Sequence, residues 1–113
     1  PWVAVAGDGA ALGYGTLLFR RNSSSARLYS FGVHPQARGA GVGWRLLEAL
    51  EREAKERGID KMILEVRVDN RPAMRLYRRA GYLPRRWLED YYDDGCAAWQ
   101  MDKLLSATLK AVG

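Results

Sequence analysis

Three alternating glycines, Gly39, Gly41 and Gly43, lie where an extended apolar segment gives way to an amphipathic one. The segment from Val33 to Trp44 therefore predicts a strand end, a glycine loop and a helix N-terminus in succession. Glycines let the backbone approach a ligand closely, and a helix N-terminus offers free N–H groups with about half a positive charge. This arrangement favours a bound phosphate, and a pyrophosphate would fit it. The alternative is a tight turn that packs the helix against the strand.

The residues around these glycines exclude two common nucleotide-binding loops. A P-loop requires Gly-x-x-x-x-Gly-Lys-Ser/Thr, but Gly43 is followed by Trp44 and Arg45. The dinucleotide fingerprint also fails, because the last glycine spacing is too short and the preceding strands look antiparallel. An anion held here would belong to a different class of cofactor.

Eight segments supply the scaffold for this loop. Strand-like runs occupy residues 2–6, 12–19 and 26–33, and a helical period follows until Gly58. The polar side of that helix, which includes Glu51, is expected to face solvent. Beyond it the sequence predicts a strand at 61–68, a helix capped by Asn70 and ended by Gly81, and strands near 82–86 and 96–104. The order βββ-α-β-α-ββ predicts an α/β (α+β) fold in which helices flank a mixed, mostly antiparallel sheet.

The composition describes one small, basic domain that spans residues 1–113. It carries 18 Lys and Arg against 13 Asp and Glu, a formal net charge of +5, which favours an anionic partner. One cysteine, Cys96, excludes an internal disulfide, and His34 alone cannot form a metal site. No apolar run reaches the about 20 residues of a membrane span, and the strands lack the interleaved aromatics of nucleic-acid-binding surfaces. The sequence indicates a cytoplasmic protein without a metal, a membrane anchor or a nucleic-acid partner.

Two motifs make the sequence resemble the GNAT superfamily of acyl-CoA N-acyltransferases. Arg38-Gly-Ala-Gly41-Val-Gly43 is similar to the family's acetyl-CoA motif, Gln/Arg-x-x-Gly-x-Gly/Ala. Leu64-Glu-Val-Arg-Val-Asp-Asn70, followed by Ala73, Leu76-Tyr77 and Gly81-Tyr82, is similar to a second conserved block. The resemblance runs over residues 2–104 and is nearest to the ribosomal-protein-alanine N-acetyltransferase branch. It implies a single acetyl-CoA-binding domain with N-acetyltransferase activity.

The resemblance implies cofactor contacts in three segments. Phe31, Gly32 and Val33 would run alongside the pantetheine arm of acetyl-CoA. Asn70 would contact the cofactor near its reactive end, cap the following helix, or do both. The arginines at 71, 75, 78 and 79 would serve the 3′-phosphate or form an exposed basic face. The pyrophosphate would be held by the loop and the first helical turn: Arg38, Gly39, Ala40, Gly41, Val42, Gly43 and Trp44.

The resemblance also implies two catalytic residues. Glu65 would accept a proton from the amine, through a water molecule, and Tyr77 would donate a proton to the departing thiolate. A phenol with a pKa of about 10 stays protonated at neutral pH, so the donor needs little adjustment. The alternatives are a Glu65 that faces outward and pairs with a nearby arginine, and a Tyr77 that only fills the core.

The implied acceptor is a primary amine, and a protein or peptide N-terminus is favoured. Deprotonating an α-amine of pKa about 8 at pH 7 costs about 1.4 kcal/mol, against about 4.6 kcal/mol for a lysine. Tyr91 and Tyr92, with their acidic neighbours in 89–94, could attract a cationic amine or form a solvated loop. A small-molecule amine as acceptor, and a non-catalytic acyl-CoA-binding module, are the alternative functions.

The beginning of the chain departs from the family pattern. Family members carry a strand and two helices before the segment that starts here, so the resemblance predicts an N-terminally incomplete domain. Its first strand would then lack a neighbour and expose backbone hydrogen-bonding groups. We therefore expect a homodimer or an exchange of strands.

Overall fold

Six strands and two helices follow one another in the order predicted from the sequence. The computed structural model describes residues 2–7, 13–33 and 41–105, with the side chains of the last two ranges. Its elements are β1 (Trp2–Gly7), β2 (Gly13–Phe19), β3 (Ser25–Val33), α1 (Val42–Glu56), β4 (Lys61–Arg67), α2 (Arg71–Arg79), β5 (Leu83–Leu88) and β6 (Ala98–Leu104).

The last two strands begin later than the sequence predicted. Tyr82 is fully buried, and its N–H donates to the Tyr77 carbonyl at 2.9 Å, so it completes the end of α2 instead of starting β5. Gly81 makes this turn possible with a φ of 103°, a left-handed value that disfavours side chains. Cys96 belongs to the loop before β6, because its N–H and the N–H of Gly95 bond within that loop.

The six strands form one mixed, mostly antiparallel sheet, as predicted. The strand order is β1-β2-β3-β4-β6-β5, and β3 with β4 is the parallel pair. All other neighbours are antiparallel. Among the described residues, no helix is both long enough and apolar enough to cross a membrane.

The core lies between the sheet and one face of α1. Leu46, Leu47 and Leu50 of the helix pack with buried strand residues such as Leu17 and Leu64. Alternate residues of a strand point to opposite faces. The residues of β4 at 62, 64 and 66 therefore enter this core, while those at 61, 63, 65 and 67 point to the other face of the sheet.

The expectation that Glu51 faces solvent is wrong. Glu51 is 9% exposed, and its two oxygens accept hydrogen bonds at 2.8 Å from the Tyr82 hydroxyl and from Lys103 Nζ. A buried carboxylate is tolerated when its oxygens are satisfied in this way. The polar group thus ties α1 to the end of α2 and to β6.

Strands β3 and β4 separate part-way along their length. They pair from Ser25–Lys61 to Leu28–Leu64, and no pairing is present beyond that point. In β2, Thr16 opposes Ser30 while Leu17 opposes Leu28, so Tyr29 is an extra residue in β3 at the point of separation. Beyond it, residues 29–33 stay with β2 and residues 65–67 stay with β6. A wedge-shaped gap therefore opens in the middle of the sheet.

Candidate active site

The helix α1 points its N-terminus at the open end of this gap. Gly41 caps the helix with φ 78° and ψ 8°, a left-handed conformation that glycine adopts without strain. No acidic residue occupies the first turn, and the first-turn N–H groups of a helix have no acceptor within the helix. A Cβ atom at Gly43 would lie 3.3 Å from Leu76 Cδ2, so glycine allows α1 and α2 to approach closely. The helix end is therefore a positive backbone surface that no acidic side chain of the first turn neutralises.

A cleft of about 350 Å³ lies beside this helix end. It brings together six of the residues assigned to the cofactor by resemblance, from three separate parts of the chain. Pro72, Ala73 and Leu76 of α2 complete its wall. The six residues are Phe31, Gly32, Val33, Gly43, Trp44 and Asn70. Arg38, Gly39 and Ala40 lie outside the described residues, Gly41 and Val42 directly precede Gly43, and Val42 is buried.

The backbone of β3 forms an open edge along one side of the gap. In an antiparallel pair only part of each strand's polar groups bond to a given neighbour, and the others point the opposite way. Because parallel pairing with β4 ends at Leu28, the outward groups of residues 29–33 have no strand partner among the described residues. These groups could bind the amides of an extended ligand as another strand would.

Asn70 serves as the cap of α2. Its Oδ1 accepts a hydrogen bond from the Ala73 N–H at 3.3 Å, and Pro72 follows in the first turn. The same residue lines the cleft. Both functions considered from the sequence are therefore compatible with its position.

Tyr77 lies in the core between the cleft and the end of α2. It is 6% exposed, and its ring makes edge contacts with Phe31 at 6.0 Å and Tyr82 at 5.8 Å between ring centroids. Burial raises the pKa of Tyr77 above its ordinary value, and Tyr92 raises it further. In the described part of the chain its hydroxyl has no hydrogen-bond partner, and no fully buried side-chain oxygen or nitrogen there lacks one. The hydroxyl is therefore protonated at neutral pH and is not completely buried.

Glu65 lies just past the last residue of β4 that pairs with β3, on the sheet face opposite α1. Its side chain is 8% exposed and forms an ion pair with Arg27 of β3. Gln100 of β6 also donates to it, at 2.9 Å from Nε2 to Oε2. The arginine partner that the sequence left open is thus present, and Glu65 also lines a cavity of about 640 Å³.

The cavity beside Glu65 is lined by aromatic and apolar side chains together with Arg27 and Gln100. Tyr29, Tyr91 and Tyr92 line it together with Leu18 and Leu88. Glu65 lines this cavity and Tyr77 does not. Tyr92 also lines the Glu65 cavity, and it raises the pKa of Tyr77.

Arg67 fixes the loop that carries Tyr91 and Tyr92. Its guanidinium bonds Asp94 at 2.7 Å and Asp69 at 3.1 Å, and it lies 5.0 Å from the Tyr92 ring centroid. Hydrogen bonds from Arg67 lower the pKa of both aspartates. Asp94 is therefore engaged within the loop, and is not a free acidic group for an amine.

Sequence reasoning missed the residues that approach Glu65 from its two neighbouring strands. Arg27 is 38 residues from Glu65 and Gln100 is 35 residues from it, so no local pattern relates them. The one available signal was the position of Glu65 on the outward side of a strand, which predicts cross-strand partners without naming them.

The family model for GNAT acetyltransferases matches residues 1–82 of the sequence. The chain belongs to the GNAT acetyltransferase family. This membership agrees with the two motifs and with the position of the cleft at the N-terminus of α1.

Three relatives illustrate the relationship of this GNAT chain to known proteins. It is 37% identical over 89 residues to an uncharacterized N-acetyltransferase of Methanocaldococcus jannaschii, covering 78% of the chain and 56% of that protein. It is 40% identical over 73 residues to an N-alpha-acetyltransferase of Sulfurisphaera tokodaii, covering 64% and 44%. The crystal structure of the ribosomal-protein-S18-alanine N-acetyltransferase from Escherichia coli superposes with a TM-score of 0.79 at 27% identity, covering 91% of this chain and 69% of that one. The chain thus matches about half the length of these curated relatives.

Proposed function

We propose that this GNAT chain is an acetyl-CoA-dependent N-acetyltransferase whose acceptor is the α-amine of a protein or peptide N-terminus. One observation carries the proposal. The cleft at the N-terminus of α1 and the cavity at Glu65 approach the gap between β3 and β4 from different sides. A donor lying along β3 and an acceptor entering beside Glu65 would therefore meet inside the sheet.

The cleft fits acetyl-CoA in its chemistry. Amide groups of a pantetheine arm would pair with the open backbone edge of residues 29–33, and its pyrophosphate would face the free N–H groups of the first turn of α1. Trp44 stands at the rim, 37% exposed, with the guanidinium of Arg79 5.9 Å from its ring centroid. Bound acetyl-CoA supplies an acetyl group activated as a thioester.

Two side chains would move the protons of the reaction. Glu65, directly or through a water molecule, accepts a proton from the amine as nitrogen attacks the thioester carbon. Tyr77 donates its hydroxyl proton to the sulfur as the carbon–sulfur bond breaks. The raised pKa of Tyr77 keeps this proton in place at neutral pH. The products are the N-acetylated acceptor and the free thiol of coenzyme A.

The acceptor proposal rests on the cavity and on the relatives. An α-amine is about 3 kcal/mol easier to deprotonate at neutral pH than a lysine side chain, which suits a carboxylate as the acceptor of the proton. Two of the relatives support it by name: one is an N-alpha-acetyltransferase, and the other is a ribosomal-protein-S18-alanine N-acetyltransferase.

The test is acetylation of matched peptides, followed by mass spectrometry. One peptide has a free N-terminus, the second has the same sequence with a blocked N-terminus and one internal lysine, and the third component is a small primary amine. We expect a gain of one acetyl group only on the free α-amine. Binding of acetyl-CoA without transfer to any amine would contradict the enzyme and support an acyl-CoA-binding module.

We further propose that the chain acts in the cytoplasm and forms a homodimer through β1. The single cysteine suits a reducing compartment.

β1 pairs with β2 on one side and has no strand on its other side among the described residues. Exposed edge strands favour pairing with another chain. Light scattering should give twice the chain mass of 12.7 kDa, and a monomer at high concentration would contradict the pairing.

A further inference from the structure

We infer that Arg27 and Gln100 are positioning residues that hold one oxygen of Glu65 so that the other oxygen does the chemistry. The inference rests on the proposed function, in which Glu65 accepts the proton of the amine. It starts from an asymmetry in the contacts of the carboxylate. Arg27 and Gln100 both donate to Oε2, and no group in the described part of the chain donates to Oε1.

The two donors approach Glu65 from opposite sides. In the sheet, β4 lies between β3, which carries Arg27, and β6, which carries Gln100. Gln100 lies directly opposite Glu65, and Arg27 lies opposite Ile63, one side-chain step earlier on the same face. Two donors on both flanks restrict rotation of the carboxylate more than either could alone.

The second oxygen is accessible. No fully buried side-chain oxygen or nitrogen in the described residues lacks a hydrogen-bond partner. Oε1 has no partner there, and Glu65 lines the cavity of about 640 Å³, so Oε1 is the carboxylate oxygen left free to accept a hydrogen bond at this cavity. An amine or a water molecule that enters would find one free acceptor in a fixed place.

Other charged groups around the carboxylate do not compete for this position. Tyr91 and Tyr92 line the Glu65 cavity from the loop before β6, and the charge of Glu65 helps to raise the pKa of both. Arg67, two residues along β4, is engaged by Asp69 and Asp94. In the described part of the chain Arg27 therefore contributes the cation that contacts Glu65, and it does so at Oε2, the oxygen that Gln100 also contacts.

The experiment compares single substitutions with the same substitutions in a Glu65→Gln background. Arg27→Met and Gln100→Met remove one donor each with little change in volume. We expect each to lower kcat about 10- to 100-fold, the effect of a misplaced catalytic group, while the Kd of acetyl-CoA stays within twofold. In the Glu65→Gln background neither substitution should lower kcat further, because the group that they position is already lost.

The controls separate positioning from stability. Arg85→Met breaks the ion pair of Arg85 with Asp102, at 2.9 Å on the same sheet, and should leave kcat unchanged. Arg27→Lys retains the charge and one donor and should recover part of the lost rate. Thermal unfolding identifies any variant that loses the fold. In that case Arg27→Lys replaces Arg27→Met, and Gln100→Asn replaces Gln100→Met.

The outcomes distinguish this inference from the proposed function. If Glu65→Gln lowers kcat but Arg27→Met and Gln100→Met do not, the positioning role is overturned and the proposed function stands. If Arg27→Met and Gln100→Met each lower kcat by the same factor in the original chain and in the Glu65→Gln background, Arg27 and Gln100 act elsewhere and the inference is also overturned. If Glu65→Gln leaves kcat unchanged, the assignment of Glu65 in the proposed function is wrong and the positioning role falls with it.

Discussion

Two neighbouring tyrosines should respond in opposite ways to the loss of a hydroxyl group. The rings of Tyr77 and Tyr82 are 5.8 Å apart, and both are buried. The Tyr82 hydroxyl donates to buried Glu51, whereas the Tyr77 hydroxyl has no partner among the described residues. Tyr77→Phe should therefore affect the reaction, and Tyr82→Phe should affect stability.

The magnitudes follow from these contacts. Tyr82→Phe removes a hydrogen bond to a charged group, worth about 2 kcal/mol of unfolding free energy. For a chain of this length that loss lowers the Tm by roughly 8 °C. Tyr77→Phe removes no hydrogen bond and keeps the ring contact with Phe31, so its unfolding free energy should change by less than about 1 kcal/mol. Loss of a general acid lowers kcat about 10²- to 10⁴-fold.

The assay measures both quantities for both variants. Urea unfolding gives the free energy, and steady-state acetylation of a peptide with a free N-terminus gives kcat and the KM of acetyl-CoA. A Tyr77→Phe variant with unchanged kcat would remove Tyr77 from the mechanism. A Tyr77→Phe variant as destabilised as Tyr82→Phe would show that the Tyr77 hydroxyl has a structural partner.

Three further outcomes are expected. Burial raises the pKa of Tyr77 and Tyr82, so above pH about 10 the unfolded chain releases protons that the folded chain retains. The urea midpoint should therefore be steady below that pH and fall as the pH rises further, less steeply in Tyr82→Phe. A midpoint that stays constant to pH 11.5 would contradict the burial of the two hydroxyl groups. Gly15→Ala places a Cβ 2.4 Å from Leu50 Cδ1 in the core and should cost about 1–3 kcal/mol of unfolding free energy; an unchanged urea midpoint would mean that Leu50 moves aside. Arg67→Gln removes the ion pair with Asp94 and frees the loop that carries Tyr92, so it should raise the KM of the peptide without changing the Kd of acetyl-CoA. The control Arg85→Gln should change neither the KM of the peptide nor the Kd of acetyl-CoA. Equal peptide KM values in the two variants would refute the role of Arg67 in holding that loop.

Local patterns predicted the elements well because their signals are local. The change of apolar period after Gly41, the cap at Asn70 and the stop at Gly81 each depend on a few adjacent residues, and the structure has a helix end at each. In β4 the burial pattern is also local, because alternate residues at 62, 64 and 66 are buried in the core.

Features that depend on distant residues could not be predicted in this way. Glu51 lies on the polar side of α1 by spacing, and its burial depends on Tyr82 and Lys103, which are 31 and 52 residues away. The gap between β3 and β4 depends on an extra residue in one strand and on the place of β6 in the sheet order. Sequence periodicity contains neither piece of information, because it describes one element at a time.

The proposed function requires that the cleft beside the N-terminus of α1 binds coenzyme A. A titration of the ¹⁵N-labelled chain with coenzyme A, followed by amide NMR, tests it most directly. At about 100 times the Kd the ligand should also add about 2.7 kcal/mol of stability, which gives an independent measure of binding. The largest shifts are predicted for the amides of residues 31–33, 42–44, 70, 71 and 73, since Pro72 has no N–H. Shifts that are absent at saturation, or confined to the cavity beside Glu65, would contradict the claim.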